Sequence, residues 1–349
     1  MNSIPRILLL PEYGADQAWH GSAHIRLLRP LDHPEVLGGR ALFDVQRELP
    51  RSLRADVVIV ERNWRPDVDL RLAEALIGAV RRVGAKLWWA IDDNLLDTHP
   101  VQQTELGLRH LRPVGRLFAR EADAVLVSTQ SLADRLGKIC RRCVVLPNLL
   151  DERLFPELPQ PEAQASIERI GYLGTLTHGP DLASILPALA EALSLHPGWR
   201  FELLGVTPSL ARIPAAVANR MDVRDGFPAP YTEFLPWVAK NLRWSIGVAP
   251  LLHGAFNDCK SDIKLLDLAV IGSAAVCADV PAYATSATKA GAWLAEPGDT
   301  ESWLHALLPL MGDRDLRIQH ARRLREYLLN ERTLRSAGHI WRDALLRLF

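Results

Sequence analysis

The stretch Phe256-Asn257-Asp258-Cys259-Lys260-Ser261-Asp262-Ile263-Lys264-Leu265-Leu266-Asp267-Leu268-Ala269-Val270-Ile271-Gly272, followed by the apolar run Ala274 to Cys277, carries the first decision about the fold. Helix formers run from Ile263 until Gly272 stops them, and a short apolar segment follows at once, as where a helix feeds a buried strand of a parallel sheet. Ser261 or Asp262 stands where it can cap that helix, whose first N–H groups at a strand-end cleft suit a phosphate. Lys260, Lys264 and Asp267 fall at i, i+4 and i+7 and share one face, while Ile263, Leu266 and Val270 make the opposite, buried stripe. Two cations can hold a diphosphate, and a carboxylate is the natural partner for a pair of ribose hydroxyls. The plainer alternative is a solvated Lys–Asp face worth a few tenths of a kcal/mol per pair. Scarcity favours function: the chain has only six lysines, Lys86, Lys138, Lys240, Lys260, Lys264 and Lys289, in a background of arginine.

Outward from this stretch, short apolar runs alternate with helical ones along the whole chain, the pattern of parallel sheets with crossover helices. Arg6 to Leu10, Asp56 to Val60, Lys86 to Ile91, Ala124 to Val127 and Val144 to Leu146 read as strands of a first domain, with helices at Leu70 to Val83 and Val101 to Arg120. Ile170 to Leu173, Phe201 to Leu204, Ser245 to Ala249, Ala274 to Cys277 and Ala292 to Ala295 supply a second set, with helices at Asp181 to Leu195, Tyr231 to Lys240 and Ile263 to Ile271. Between them Phe155 to Ser166 is rich in proline and polar residues and reads as a linker. The expected division is a first domain at 1–155, a linker at 156–167, a second domain at 168–330 and a closing helix at 331–349 packing back on the first domain. Two doubly wound domains of this kind leave a ligand cleft at the carboxyl ends of their strands. The arginine-rich end of the chain has a rival reading as a helix lying on a membrane surface, which its interspersed acids disfavour.

A length of 349 residues with 48% hydrophobic and 23% charged residues describes folded domains rather than a disordered or fibrous chain. Lys+Arg 41 against Asp+Glu 41 leaves no global field for nucleic acid, so any anion site is local. Four cysteines make no disulfide framework, and the Cys140–Cys143 pair lacks the second ligand pair of a zinc site. Ile7 to Leu10 is too short for a signal sequence core or a membrane span. A cytoplasmic protein is expected, with contact at the inner face of the cell membrane left open.

At this point the sequence resembles the nucleotide-sugar-dependent glycosyltransferases of the GT-B fold, specifically glycosyltransferase family 4. In that family a Glu-x7-Glu motif precedes Leu-Glu-x-x-Ala-x-Gly and a strand, and its second glutamate binds the ribose. Leu266-Asp267-Leu268-Ala269 with Gly272 is similar to this element, with Asp267 at the second acidic position and Cys259 at the first. Tyr172-Leu173-Gly174-Thr175 and Thr177-His178-Gly179-Pro180-Asp181-Leu182 resemble the glycine loop that opens the donor domain. Many members carry an arginine right after that glycine and a lysine six residues later; Thr175 and Asp181 stand in those places. The resemblance to a bacterial subgroup with a Lys-Ser-Asp-Ile-Lys run lets Lys260 and Lys264 replace the missing cations.

In the first domain, Ala122 to Thr129 and Leu146-Pro147-Asn148 look like the family's strand ends leading to the linker, and Arg26 with Pro30, and Glu61-Arg62, resemble subgroup features near the acceptor. Asp92 of Ala90-Ile91-Asp92-Asp93-Asn94 replaces a histidine often placed near the reacting sugar. A carboxylate there can accept a proton or stabilise developing positive charge. A divalent metal on Asp92 and Asp93 is the rival use, disfavoured because adjacent acids on a strand point to opposite faces; a helix cap is the plainer one. His178 and His253 are further candidates.

The resemblance implies an α/β protein of two Rossmann-like domains that transfers a sugar from a nucleotide diphosphate sugar to a hydroxyl of a bacterial glycan or lipid-linked saccharide, with retention. Asp92, Asp93 and Lys264 are then the catalytic candidates. Gly174, Thr175, His178, Cys259, Lys260, Ser261, Lys264 and Asp267 face the donor, and Arg26 and Arg62 the acceptor. Neither a metal nor a cofactor beyond the co-substrate is expected. Two alternatives remain: a non-catalytic GT-B partner of a nucleotide sugar or a companion glycosyltransferase, and a sugar epimerase of similar fold.

Overall fold

The computed structural model describes residues 4–97, 111–175, 178–205 and 213–349. The chain forms two compact units, one of Met1–Glu152, Cys259–Ser261 and Thr333–Phe349, the other of Arg153–Asp258 and Asp262–Arg332.

In the first unit β1 (Arg6–Leu10), β2 (Leu42–Val45), β3 (Val57–Glu61), β4 (Lys86–Ile91), β5 (Ala124–Val127) and β6 (Cys143–Val145) form one sheet in the order β2-β1-β3-β4-β5-β6. Every pairing is parallel, with Leu8 opposite Val58 and Ile59 opposite Trp88. Continuous apolar strands such as Val57 to Val60 are what a sheet covered on both faces requires. Successive side chains alternate faces. Trp88 joins a core with Ile7, Val57 and Leu146, into which the helix Leu334–Leu346 inserts Leu334, Ala337, Trp341 and Leu345. Trp89 stacks on Phe118 of the helix Leu111–Glu121, with ring centroids 6.2 Å apart. Residues 101–110 of the expected helix Val101 to Arg120 lie outside the described residues.

The second unit holds β7 (Arg169–Leu173), β8 (Arg200–Leu204), β9 (Met221–Arg224), β10 (Ile246–Ala249), β11 (Ala274–Ala278) and β12 (Trp293–Ala295), in the order β12-β11-β10-β7-β8-β9 and again all parallel. The helix Ile263–Ile271 ends at Gly272, whose φ of 80° is the left-handed conformation that glycine adopts freely. Leu268 of this helix packs onto Gly247 of β10, where an added Cβ would lie 2.2 Å from Leu268 Cδ2. Two strands absent from the sequence reading, β2 and β9, are sheet edges with half-exposed faces and an internal aspartate each, so neither shows a continuous apolar run.

Residues 156–167, expected as a linker, include the helix Pro161–Gln164, and buried Gln164 donates through Nε2 to Leu242 O (3.1 Å) and Ile271 O (2.7 Å). The segment's polar composition resembles a linker, but the Gln164 amide is spent on carbonyls at the ends of two helices. The expected helix Asp181 to Leu195 is two, Gly179–Ala183 and Leu186–Leu195. Pro187 lacks an N–H and its ring excludes a helical carbonyl four residues back, which is where the first helix stops. Among the described residues no helix is long and apolar enough to cross a membrane.

Both sheets contain a switch point, where consecutive crossovers leave in opposite directions: between β1 and β3 in the first unit, and between β7 and β10 in the second. Ligands of open α/β sheets bind outside the carboxyl ends of the strands at such points.

Gly171 of β7 tests the packing of the second sheet, because an added Cβ there would lie 1.8 Å from the Trp244 ring. Gly171→Ala is expected to lower stability by ~1–3 kcal/mol through overpacking, read as a lower denaturant midpoint with an unchanged slope.

Candidate functional site

At the switch point of the second unit, β7 ends in Tyr172-Leu173-Gly174. The Tyr172 side chain is entirely buried, and a Cβ on Gly174 would lie 2.5 Å from its phenol oxygen. Gly205, at the end of β8 with φ +79°, comes equally close to the Gly174 carbonyl: a Cβ there would lie 2.5 Å from that oxygen. This turn therefore tolerates no side chain on either glycine. Gly205 is missing from the sequence-derived candidates, although a glycine directly after a strand signals such a turn.

Asp181, which stands where members of the resembled family 4 carry a lysine, is a buried acceptor with three donors: His178 Nδ1 at 2.8 Å, Leu252 N at 2.9 Å and Asn257 Nδ2 at 3.2 Å. It orients the His178 ring and ties the loop after β10 to the start of the helix Gly179–Ala183. The missing cation is thus a carboxylate employed in holding the loop.

On the helix Ile263–Ile271, Lys264 places Nζ 3.4 Å from the Tyr172 hydroxyl and 5.2 Å from its ring centroid. Asp267 lies one turn on and is buried; burial pushes its carboxyl up to about 7, against the pull of Lys264. Neither expected cap caps this helix. Asp262 occupies the N-cap position without a side-chain cap bond, because its carboxylate is taken by the Arg332 guanidinium, with Nη2 2.8 Å from Oδ1, and by Ser286. A charged, bidentate partner outcompetes a backbone N–H. Ser261 instead accepts from Asn148 Nδ2 at 2.8 Å.

The shared face of Lys260 and Lys264 is also corrected. The helix begins at Ile263, so Lys260 is outside it; Cys259–Ser261 belongs to the first unit, where Lys260 Nζ lies 3.0 Å from Asp93 Oδ1. Cys259 is buried, and its carbonyl accepts from Thr129 Oγ1 at 2.8 Å.

The switch point of the first unit is crowded with charge. Arg62, just past β3, has a φ of 45° and Trp64 one of 46°, left-handed values that are uncommon for non-glycine residues. Three bonds hold this backbone: Arg62 N to Ala90 O (2.8 Å), Trp64 N to Glu61 O (2.7 Å) and Trp89 Nε1 to Arg62 O (2.8 Å). The result aims the Arg62 guanidinium at three carboxylates, with Nε 3.3 Å from Glu12 and 3.7 Å from Asp92, and Nη2 3.5 Å from Asp93. Strain of this sort persists where the surroundings over-determine it, commonly at functional sites.

Burial works to raise the Glu12 carboxyl, but Arg62 and His20 together hold it below its ordinary value; His20 Nδ1 lies 3.2 Å from Glu12 Oε2. Burial also raises Asp92, against Arg62. Glu61, wholly buried, is pushed up to about 8 by burial and by its acidic neighbours Glu12 and Asp92. Glu12 and His20 escaped the sequence reading; Glu12 sits two residues beyond a strand flanking the switch, which only the strand order reveals.

Asp92 and Asp93 do not diverge as strand neighbours would, because β4 stops at Ile91 and both reach Arg62. Arg26 is fully buried under Trp341, its guanidinium 5.1 Å from the ring centroid, and it donates to Leu146 O and Asn148 Oδ1. Its guanidinium braces the core. Among the described residues, the group with metal-ligand spacing is His33, Asp151 and Glu152. His33 Nδ1 accepts from Glu35 N (3.2 Å), which leaves the ring proton on Nε2 facing Glu152, and Asp151 is bound by Arg29 at 2.6 Å. That donor set is already spent on protein partners and does not fit a metal. Cys140 and Cys143 are free thiols, with Cys143 pushed up to about 12 by burial. His253, in the loop after β10, is exposed and bonds Asp258 at 3.2 Å.

Two six-stranded parallel sheets with these strand orders make an α/β protein of the GT-B type. No protein-family model matches the chain. The structure is similar to a glycosyltransferase from Rickettsia africae, with a TM-score of 0.61 and 11% identity, over 100% of this chain and 98% of that one. It is also similar to Staphylococcus aureus TarM, solved with fondaparinux, alpha-GlcNAc-glycerol and UDP, with a TM-score of 0.60 and 11% identity, over 84% of this chain and 55% of that one. In sequence the chain is 28% identical over 212 residues to an exopolysaccharide phosphotransferase of Streptomyces coelicolor, which is 57% of this chain and 21% of that protein. The chain therefore spans about a fifth of that relative's length.

Glu61 yields a pH prediction. With its folded value raised to about 8, the native state keeps a proton that the unfolded chain releases near its ordinary value of ~4.3. Stability of the parent therefore falls between those two values, by up to ~1.4 kcal/mol per pH unit from this group, and levels off above the upper one. Glu61→Gln lacks this penalty, so its Tm relative to the parent is expected to rise steadily from pH 5 to pH 8. A constant difference would mean that Glu61 is ionised in the folded protein.

Proposed function

We propose that the chain is a glycosyltransferase that moves a sugar from a nucleotide diphosphate sugar to a hydroxyl of a bacterial glycan or lipid-linked saccharide. One observation carries this reading: a cation and a carboxylate, Lys264 and Asp267, lie one turn apart on a helix of the second unit, with the Lys264 ammonium at the Tyr172 phenol that underlies the Gly174 turn, in a GT-B fold. Asp267 accepts from the ribose hydroxyls, and Lys264 carries the positive charge that a departing diphosphate needs. Gly174 lets the phosphates approach the backbone. In the first unit Arg62 serves the acceptor, and Asp92 and Asp93 are that unit's catalytic candidates. Retention at that carbon follows from the resemblance to family 4, and the product anomer tests it directly.

A second reading keeps donor binding without transfer. It is favoured by Cys259, a buried thiol where the family has its first glutamate, and by Asp92 in place of an imidazole. Incubating purified protein with donor alone separates the two, since a non-catalytic binder leaves the donor intact.

Transfer is expected to continue unchanged in EDTA, because Lys264 does the work that a metal would otherwise do on the diphosphate. Loss in EDTA restored by manganese or magnesium would reassign Asp92 and Asp93 to a metal.

Lys264→Ala is expected to lower the initial rate, at saturating donor and acceptor, by ~10²-fold or more while changing stability little. Lys264→Arg should rescue it only in part, since a planar fork does not occupy the space of a compact ammonium. Full activity of the alanine variant would remove the diphosphate assignment.

A further inference from the structure

We infer that Tyr172 is a positioning residue for the donor phosphates: its buried phenol holds the Lys264 ammonium at the Gly174 turn. The inference rests on the donor reading above and adds a residue to it.

One atom, Tyr172 Oη, connects the two features. It lies 3.4 Å from Lys264 Nζ, and it fills the space that a Cβ on Gly174 would enter, 2.5 Å from that position. The ring face adds to the hold, with the ammonium 5.2 Å from its centroid. Tyr172 itself cannot move far: it lies on β7, paired opposite Leu203 of β8, and has no exposed surface. Lysine is a compact charge on a flexible four-carbon stem, so an ammonium that must meet a phosphate gains from a fixed partner.

The chemistry of that partner matters. A carboxylate would hold the lysine but neutralise it. A phenol and its ring face hold it without adding a negative charge. Burial, with the Asp181 carboxylate beside it, keeps the phenol protonated well above neutral pH. Asp267, the carboxylate that acts on Lys264 from the same helix, is itself raised to about 7 by burial, which limits how fully it neutralises the lysine.

The test compares nucleoside diphosphates with nucleosides. UDP, GDP, ADP and dTDP are titrated into the full chain by calorimetry, and the tightest is paired with its own nucleoside. Tyr172→Phe keeps the ring in the core and removes only the hydroxyl; it is expected to weaken the diphosphate about fivefold and leave the nucleoside unchanged. Lys264→Met should weaken the diphosphate more, and adding Tyr172→Phe to it should change nothing further, because the phenol then has no ammonium to hold. Melting temperatures of the variants confirm that they are folded. Equal losses for diphosphate and nucleoside, or losses that add independently in the double variant, would overturn the inference while the donor reading stands. If the parent binds none of the four diphosphates, the donor reading fails and the inference falls with it.

Discussion

A parallel sheet covered on both faces leaves almost no place for an ionised side chain except beyond the carboxyl ends of its strands, and the chemistry of this protein follows from that exclusion. Within the second sheet the buried carboxylate Glu202 is held by Arg169 at 2.9 Å and Arg224 at 2.6 Å, on the two flanking strands. Elsewhere the charges collect where strands stop: Glu12 after β1, Glu61 and Arg62 at β3, Asp92 and Asp93 after β4. Crowding of this kind raises some carboxyls and lowers others, which is how neighbouring acids come to hold different protonation states at one pH.

Among the described residues, several cations near these ends are paired with carboxylates. Arg62 answers three carboxylates, Lys260 answers Asp93, and Arg332 holds Asp262 at the first turn of the Lys264 helix. Removing one member of such a buried set leaves an uncompensated charge, which costs far more than the intact pair contributes. Lys264 differs in kind, since its contact with Tyr172 is a neutral hydroxyl and a ring face.

Asp181 shows that a residue which departs from the pattern the sequence resembles can have a structural role of its own. By charge alone an acid at this position reads as the loss of a phosphate contact. Its three donors show a structural anchor that fixes His178 and the loop leading from β10. Gln164 makes the same point for packing, since a polar segment that looked like a tether turns out to close two other carbonyls.

The sequence by itself determined the alternation of strands and helices, the two doubly wound halves, the helix Ile263–Ile271 with its glycine stop, and Gly174, Lys264 and Asp267 as residues to watch. These are legible because apolar periodicity and glycine stops act over a few neighbouring residues. Edge strands β2 and β9 were not, because one open edge removes the apolar run that marks a central strand. The tertiary structure alone decided that Lys260 serves Asp93 and not the helix, that Arg26 lies under Trp341, and that Glu12 and His20 join Arg62. It also placed Tyr172 between Gly174 and Lys264. Those pairings join residues far apart in the chain, brought together by the order in which strands lie in the sheet, and strand order depends on long-range packing that no local pattern encodes.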